Sequence, residues 1–279
     1  MNRNSRSPST STDQSLLEGL ALKGRGVVSF SGAGGKTSLM FRLARELSRV
    51  GGPVLTTTTT KIWMPTQDQS PCVIFSVSSK EILSKARNIF QIHQHFSAGA
   101  GQISANKKVL GFLPDVVDEL WYSGMFRWIL VEADGAAGRS IKVPGPDEPV
   151  IPGCSNMVIC VVGLDAIGKP LDNRSVFRPG LFSTITGLAM GKPLTESVVA
   201  AAILHKEGIM KGAPPSADKV LFFNKADQPG ATDSARRIST CLFKSAEKIG
   251  LTRVIIGHAE HEPPVVESHS TYRPSLFTT

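Results

Sequence analysis

Two spacings of apolar residues alternate along the chain. Short apolar runs bounded by Gly, Pro, Ser or Asp recur between stretches whose apolar residues return every three or four positions. The runs predict buried strands and the stretches amphipathic helices. Leu16 to Lys23 reads as a short helix or a connection leading into the first strand, Val27 to Phe30. Leu39, Leu43, Ala44 and Leu47 then return at helical spacing, with Arg42, Arg45, Glu46 and Arg49 on the other face. Gly51-Gly52-Pro53 ends that helix. Val54-Leu55 opens a second strand that runs into five threonines, Thr56 to Thr60, and Lys61. Cys72 to Val77 is a strand, and Ser78 or Ser79 caps a helix over Glu81 to Phe90. His93 to Lys108 is glycine-rich and mixed, a candidate β-ribbon, and Asp115 to Tyr122 is helical. Trp128 to Val131, Met157 to Val162 and Val220 to Phe223 read as buried strands, and Val254 to Ile256 as the last strand. Helices are expected at Leu194 to His205 and at Ser234 to Ile249. Strand and helix patterns alternating over this length predict an α/β fold, doubly wound around a largely parallel sheet with helices on both faces. Ligands in such sheets bind at the carboxyl ends of the strands.

The polar clusters fall at those ends. Ser31-Gly32-Ala33-Gly34-Gly35-Lys36-Thr37-Ser38 joins the first strand to the first long helix, the layout of a phosphate-binding loop. Backbone N–H groups of Gly32, Ala33, Gly34, Gly35, Lys36, Thr37 and Ser38 would crowd around a polyphosphate, and the helix dipole would add to them. Lys36 would neutralise the β- and γ-phosphates, and Thr37 would ligate Mg²⁺. Lys36 is expected to be exposed. The full pattern G-x-x-x-x-G-K-[ST] wants a glycine where this chain has Phe30. The compact form G-A-G-G-K-T also occurs in Mur-type peptide ligases. The motif narrows the fold to the P-loop NTPase type.

Glu132-Ala133-Asp134-Gly135 follows a clean apolar strand. Phosphate-loop proteins carry the acid that organises Mg²⁺ at such a strand end. Glu132 and Asp134 are both candidates for the metal and for catalysis with Lys36, and the spacing does not separate them. The Gly135 N–H would meet the γ-phosphate. The threonine run reads either as an edge strand with a polar face or as a source of hydroxyls and charge, through Thr59, Thr60 and Lys61, for the γ-phosphate or a second substrate. Asn224-Lys225-Ala226-Asp227 matches the guanine-selecting N-K-x-D. Asp227 would accept from guanine N1–H and the 2-amino group, Lys225 would pack along the base, and Asn224 would tie this loop to the phosphate loop. Gly257-His258-Ala259 would supply a backbone N–H to guanine O6.

Composition trims the alternatives. The chain has 279 residues, 41% of them hydrophobic, and no long apolar run, which excludes a membrane span. Met1 to Asp13 is polar and serine-rich without the apolar stretch of a signal peptide, so a cytoplasmic location is expected. Cys72, Cys154, Cys160 and Cys241 show no C-x-x-C spacing and are expected to be reduced and buried. Neither His93/His95 nor His258/His261 has a third ligand at metal spacing. The net charge of +8 fits an anionic ligand such as a nucleotide. Aromatics are only 6% and are not interleaved with basic runs, which argues against nucleic acid. The domain plan is a disordered polar leader over 1–19, one P-loop-type domain over 20–260 with an inserted region near 62–126, and an extended tail over 261–279.

From about residue 20 to about 258 the chain resembles the YqeC family of selenium-dependent molybdenum hydroxylase accessory proteins. The resemblance is carried by the glycine loop joined to Thr56–Lys61, then by Lys108-Val109-Leu110-Gly111-Phe112-Leu113-Pro114 and by Val131 to Arg139. It continues through Lys142-Val143-Pro144, Glu148 to Pro152, Val162 to Leu171 and Asn224 to Asp227. The resemblance implies a maturation factor that serves selenium-dependent molybdenum hydroxylases. Lys142 joins Thr59, Thr60 and Lys61 as a candidate substrate contact.

The leading expectation is a GTP-hydrolysing, Mg²⁺-dependent accessory protein that aids selenium or cofactor delivery to a protein client, a molybdenum hydroxylase or its cofactor-insertion machinery. ATP is the alternative nucleotide. A phosphotransferase or ligase acting on a small selenium or molybdopterin species is the second reading. A non-catalytic nucleotide-binding module is the third.

Overall fold

The computed structural model describes residues 14–103 and 107–271. A capping box formed by Ser15 and Glu18 starts α1 (Leu16–Gly19). The chain then forms β1 (Gly26–Gly32), α2 (Lys36–Arg49), β2 (Val54–Thr58), β3 (Lys61–Trp63), β4 (Val73–Phe75), α3 (Ser79–Ile89) and β5 (His95–Gly99). Next come β6 (Gly101–Ile103), β7 (Lys108–Leu110), α4 (Pro114–Tyr122), β8 (Trp128–Glu132), β9 (Ile141–Lys142), β10 (Met157–Gly163) and β11 (Val176–Phe177). The remainder is α5 (Pro179–Thr186), α6 (Glu196–Leu204), β12 (Asp218–Asn224), α7 (Ala231–Phe243), α8 (Ala246–Ile249), β13 (Leu251–Gly257) and β14 (Val265–Ser270).

The main sheet runs β14-β13-β12-β10-β1-β8-β2-β5-β4, parallel except for β14. Alternate residues of each central strand face opposite layers, as the pleat requires. Val28, Leu130, Ile159 and Phe222 pack with Leu39, Leu43 and Leu47 of α2. Val27, Ile129 and Val131 pack with Ile82 of α3 and Val117 of α4. Val162 and Phe223 pack with Phe182 of α5, Val199 of α6 and Ile238 of α7. Both faces are thus covered, so the central strands β1, β2, β8 and β10 are buried along their whole length. Among the described residues no helix is long and apolar enough to cross a membrane.

Pairing brings the strand ends together. Phe30 stands opposite Glu132, and Thr58 opposite Glu132 on its other side. Gly163 stands opposite Asn224. β1 lies between β8 and β10, and the chain builds outward in opposite directions on either side of it. That makes the carboxyl end of β1 a switch point, where a crevice opens.

Several expectations change. Of the four cysteines expected to be buried, Cys154 and Cys160 are, Cys72 is half-buried, and Cys241, on the outer side of α7, is exposed. β2 lies between β8 and β5, so the threonine run is interior and not an edge strand. Its hydroxyls are satisfied: Thr57 donates to Ala98 O at 2.8 Å and Thr58 to Glu132 O at 2.7 Å. The region near 62–126 is only partly an insertion, because β4 and β5 extend the main sheet and only β3, β7 and β6 form a separate one. Of the expected ribbon, its first half, β5, is a parallel strand of the main sheet. The helix expected over Ser234–Ile249 breaks at Ser245 into α7 and α8. Leu16–Gly19 is helical, not part of a disordered leader, and Met1–Asp13 lie outside the described residues. Val265–Ser270 of the expected tail is the antiparallel edge strand β14, held by α1 through Ser268 Oγ donating to Gly19 O at 2.8 Å.

Candidate functional site

The loop after β1 needs its glycines. Gly34 and Gly35 have φ of 88° and 122°, which L side chains rarely adopt. A Cβ at Gly34 would fall 2.5 Å from Gly163 N, and one at Gly35 would fall 2.1 Å from Asn224 Nδ2. The loop is therefore squeezed between the ends of β10 and β12. Ala33 N–H donates to Val161 O at 2.8 Å and Gly32 N–H to Asp134 at 3.1 Å, so these two of the expected phosphate donors are spent inside the fold and Gly34 to Ser38 remain. α2 starts at Lys36 with no side-chain cap. Its first-turn N–H groups at Lys36, Thr37 and Ser38 have no intrahelical acceptor and form an electropositive end.

Lys36 differs from expectation: it is 4% exposed. Its ammonium donates to Gly32 O at 2.7 Å and lies 3.1 Å from Asp134 and 3.8 Å from Glu132. Burial opposes its charge, but the two carboxylates outweigh burial and raise its pKa above the ordinary lysine value. It is buried because the acidic turn after β8 folds over it, a contact that spacing along the chain does not reveal.

The two acids occupy different places. Glu132 Oε2 accepts from the Thr37 hydroxyl at 2.6 Å. Burial pushes the Glu132 pKa up against the pull of Lys36 and Thr37. Asp134 accepts from Gly32 N–H at 3.1 Å and lies between Lys36 and Lys142, 3.1 Å from each. The Thr37 hydroxyl beside the Glu132 carboxylate is a hard oxygen pair of the kind Mg²⁺ takes. Asp134 is instead the counterion of two lysines.

Lys142, on β9, was expected to contact a substrate but is instead fully buried, and its ammonium donates to Gly135 O at 2.6 Å, inside the charge cluster rather than toward an open site. It also meets Glu148 at 2.7 Å, and Arg178 forks onto the same carboxylate. Burial alone would raise Glu148, but hydrogen bonds from Arg178 and Lys142 hold its pKa at about 2. Glu148 and Arg178 lie outside the sequence-derived site. Their signal was the resemblance through Glu148 to Pro152 for one, and for the other only a basic residue in a polar connection.

Across the glycine loop, Asn224 Nδ2 donates to Gly34 O at 2.7 Å, and Ala259 N–H donates to Asn224 Oδ1 at 2.9 Å. One amide thus clamps the glycine loop to the segment after β13. Lys225 has φ of 66° and reaches Asp165 at 3.1 Å and Ser140 Oγ at 3.2 Å. Asp227 is partly open and is held by Gln228 Nε2 at 3.0 Å. A cleft of about 410 Å³ opens here, lined by Gly35, Asn224, Lys225, Asp227, His258 and Ala259. The expected donor to a 6-oxo group is not found at His258 or Ala259: His258 N–H is spent on Pro264 O and Ala259 N–H on Asn224.

Thr59, Thr60 and Lys61 lie at the rim. Thr59 Oγ1 donates to Val150 O at 2.5 Å, Thr60 O accepts from Gly111 N–H at 2.6 Å, and Lys61 is exposed on β3. Thr60 Oγ1 would sit 3.9 Å from a Cβ on Gly135, so the threonine segment flanks the acidic turn. Ser38 donates to Glu260 at 2.8 Å, a contact that fastens α2 to the segment after β13.

The profile of a family described as "YqeC protein" matches residues 28–180. An Escherichia coli (strain K12) protein described as "Uncharacterized protein YqeC" is 36% identical over 208 residues, covering 72% of this chain and 77% of that protein. The matched span takes in β1, the glycine loop, the acidic turn, Lys142, Glu148 and Arg178. The chain belongs to the YqeC family.

Proposed function

We propose that the protein binds a guanine nucleoside triphosphate with Mg²⁺, hydrolyses it, and acts as an accessory factor in the maturation of selenium-dependent molybdenum hydroxylases. The single observation that carries the nucleotide part is the Asn224 clamp. It fixes N-K-A-D beside the glycine loop, with Gly34 O at 2.7 Å. The same strand ends then offer phosphate donors at Gly34 to Ser38, a metal pair at Thr37 and Glu132, and a base acceptor at Asp227. Lys36 would leave Asp134 for the β- and γ-phosphates, and Gly135 would face the γ-phosphate. Mg²⁺ would supply charge neutralisation of the phosphates in transfer. The selenium and molybdenum part rests on the family resemblance alone, as does the protein client.

Titration of the purified chain with GTP and ATP in Mg²⁺ tests the reading. GTP is expected to bind at least about thirtyfold more tightly, about 2 kcal/mol, because adenine offers Asp227 neither donor. Equal affinity would overturn the guanine assignment. Phosphate release that requires a small acceptor would favour the phosphotransferase or ligase reading, with the threonine rim as the acceptor contact.

A further inference from the structure

The small sheet β3-β7-β6 has one face turned away from the core. Ile62 and Val109 point inward and are buried. Lys61 pairs with Leu110 and Trp63 with Lys108 across β3 and β7. Gly101 and Ile103 of β6 pair with Leu110 and Lys108. Directly opposed residues share a face, so Lys61, Trp63, Lys108, Leu110 and Ile103 form one surface. Trp63 is 65% exposed and Leu110 41%. Leu113, just beyond β7, is 73% exposed. The three strands carry two lysines and no acid.

This face is also firmly mounted. Gly111 packs so closely on the Thr59-Thr60 backbone that a Cβ there would fall 2.4 Å from Thr60 N. Phe112 N–H donates to Thr58 O at 2.8 Å. An exposed tryptophan and leucine on a firmly mounted platform, with two lysines on the same face, are the anchors that protein interfaces use.

We infer that the outer face of β3-β7-β6 docks a protein partner, through an acidic surface that surrounds an apolar patch. Two observations favour protein over nucleic acid. The Lys108 ammonium lies 4.7 Å over the Trp63 ring, so that face of the indole is already engaged. The other apolar groups, Leu110, Ile103 and Leu113, are aliphatic and cannot stack with bases. The inference deepens the accessory-protein reading and rests on it only for there being a client. It does not need nucleotide to bind.

The test places a photo-crosslinking phenylalanine analogue at Leu110 of the full chain, irradiates cells of the source organism, and identifies the crosslinked segment by mass spectrometry. The expected result is one discrete protein adduct whose crosslinked segment is rich in Asp and Glu. Its yield should fall at least tenfold with Lys108→Glu or Trp63→Ser and be kept by Lys108→Arg. Lys108→Glu should leave the GTP affinity and melting temperature of the purified chain unchanged, which separates failure of docking from failure of the nucleotide reading. A nuclease-sensitive adduct, an adduct with a second copy of this chain, no adduct, or a yield indifferent to charge reversal would each overturn the inference.

Discussion

Lys36→Met removes the charge on which the phosphate assignment turns. The lysine is 4% exposed and shares Asp134 and Glu132 with other partners. Breaking a buried ion pair costs about 3–5 kcal/mol when the survivor is left uncompensated. Here neither survivor is: Asp134 keeps Lys142 at 3.1 Å and the Gly32 N–H, and Glu132 keeps Thr37 at 2.6 Å. The methionine also keeps the alkyl packing. The expected loss of stability is therefore smaller, about 1–3 kcal/mol, the range for losing hydrogen bonds to a charged group. It is read from the urea midpoint at unchanged slope. GTP binding loses a charge-assisted contact to the phosphates, but the wild type must first detach Lys36 from Asp134. The net loss is about 2–3 kcal/mol, roughly a 30- to 150-fold rise in Kd. Lys36→Met/Asp134→Asn should recover part of the stability, because the pair leaves together, and none of the affinity. A folded Lys36→Met protein that binds GTP within threefold of wild type would refute the phosphate-loop reasoning.

Glu132→Gln should lower Mg²⁺-dependent turnover about a hundredfold or more while leaving GTP affinity in EDTA nearly unchanged, since a metal organiser acts on charge that develops in transfer; equal loss from Asp134→Asn in both assays would return the two acids to one role. Gly35→Ala should cost about 2–4 kcal/mol in thermal or urea unfolding and lose GTP binding, because its Cβ would collide with Asn224 in a backbone conformation alanine resists. Burial holds the His95 pKa down at about 4, beside Thr56 Oγ1 at 2.9 Å. The folded imidazole stays neutral while the unfolded one protonates near 6.5, so its contribution is full above about pH 6.5 and falls by up to roughly 3 kcal/mol as pH drops toward 4. Urea midpoints of wild type and His95→Gln between pH 7 and 4.5 should converge on acidification; parallel curves would remove His95 from the account. Asp227→Asn should weaken GTP and strengthen XTP, whose 2-oxo group accepts from an amide, with the melting temperature unaltered; unchanged base preference with lower stability would make Asp227 a structural cap.

What could be read from the chain follows from how local each signal is. The glycine loop, the acidic turn and N-K-A-D each end a run of buried residues, so strand period and motif together placed them at one edge. The threonine run was open to a misreading because its pattern suits an edge or an interior strand alike. Only the pairing of β2 with both β8 and β5 decides between them. β14 was missed because Val265–Ser270 turns polar after two residues and gains its place from β13 and α1. Glu132 and Asp134 are two apart in sequence, yet the chain leaves the sheet between them, so one carboxylate meets Thr37 and the other two lysines. Glu148 and Arg178 reach Lys142 from separate loops, and no spacing rule connects them.

The charge arrangement bears on how the site would exchange partners. Lys36, Lys142 and Arg178 are interleaved with Glu132, Asp134 and Glu148, so the cluster balances formally. A buried lysine that moves to a ligand ordinarily strands its carboxylate, at several kcal/mol. Asp134 escapes that cost because Lys142 remains 3.1 Å away. Lys142 stays in place because Glu148 and Gly135 O hold it from the other side. Glu148, in turn, is shared with Arg178 at the open end of the chain of charges. On the nucleotide reading, Lys142 is thus what lets Lys36 be lent to a phosphate cheaply. Lys142→Met should then weaken triphosphate binding although Lys142 itself never touches the ligand. Its effect should vanish in an Asp134→Asn background, where no carboxylate is left to strand. A Lys142→Met penalty on GTP affinity that persists undiminished in that background would mean Lys142 contacts the ligand directly, and the threonine rim beside it would become the place to look for a second substrate.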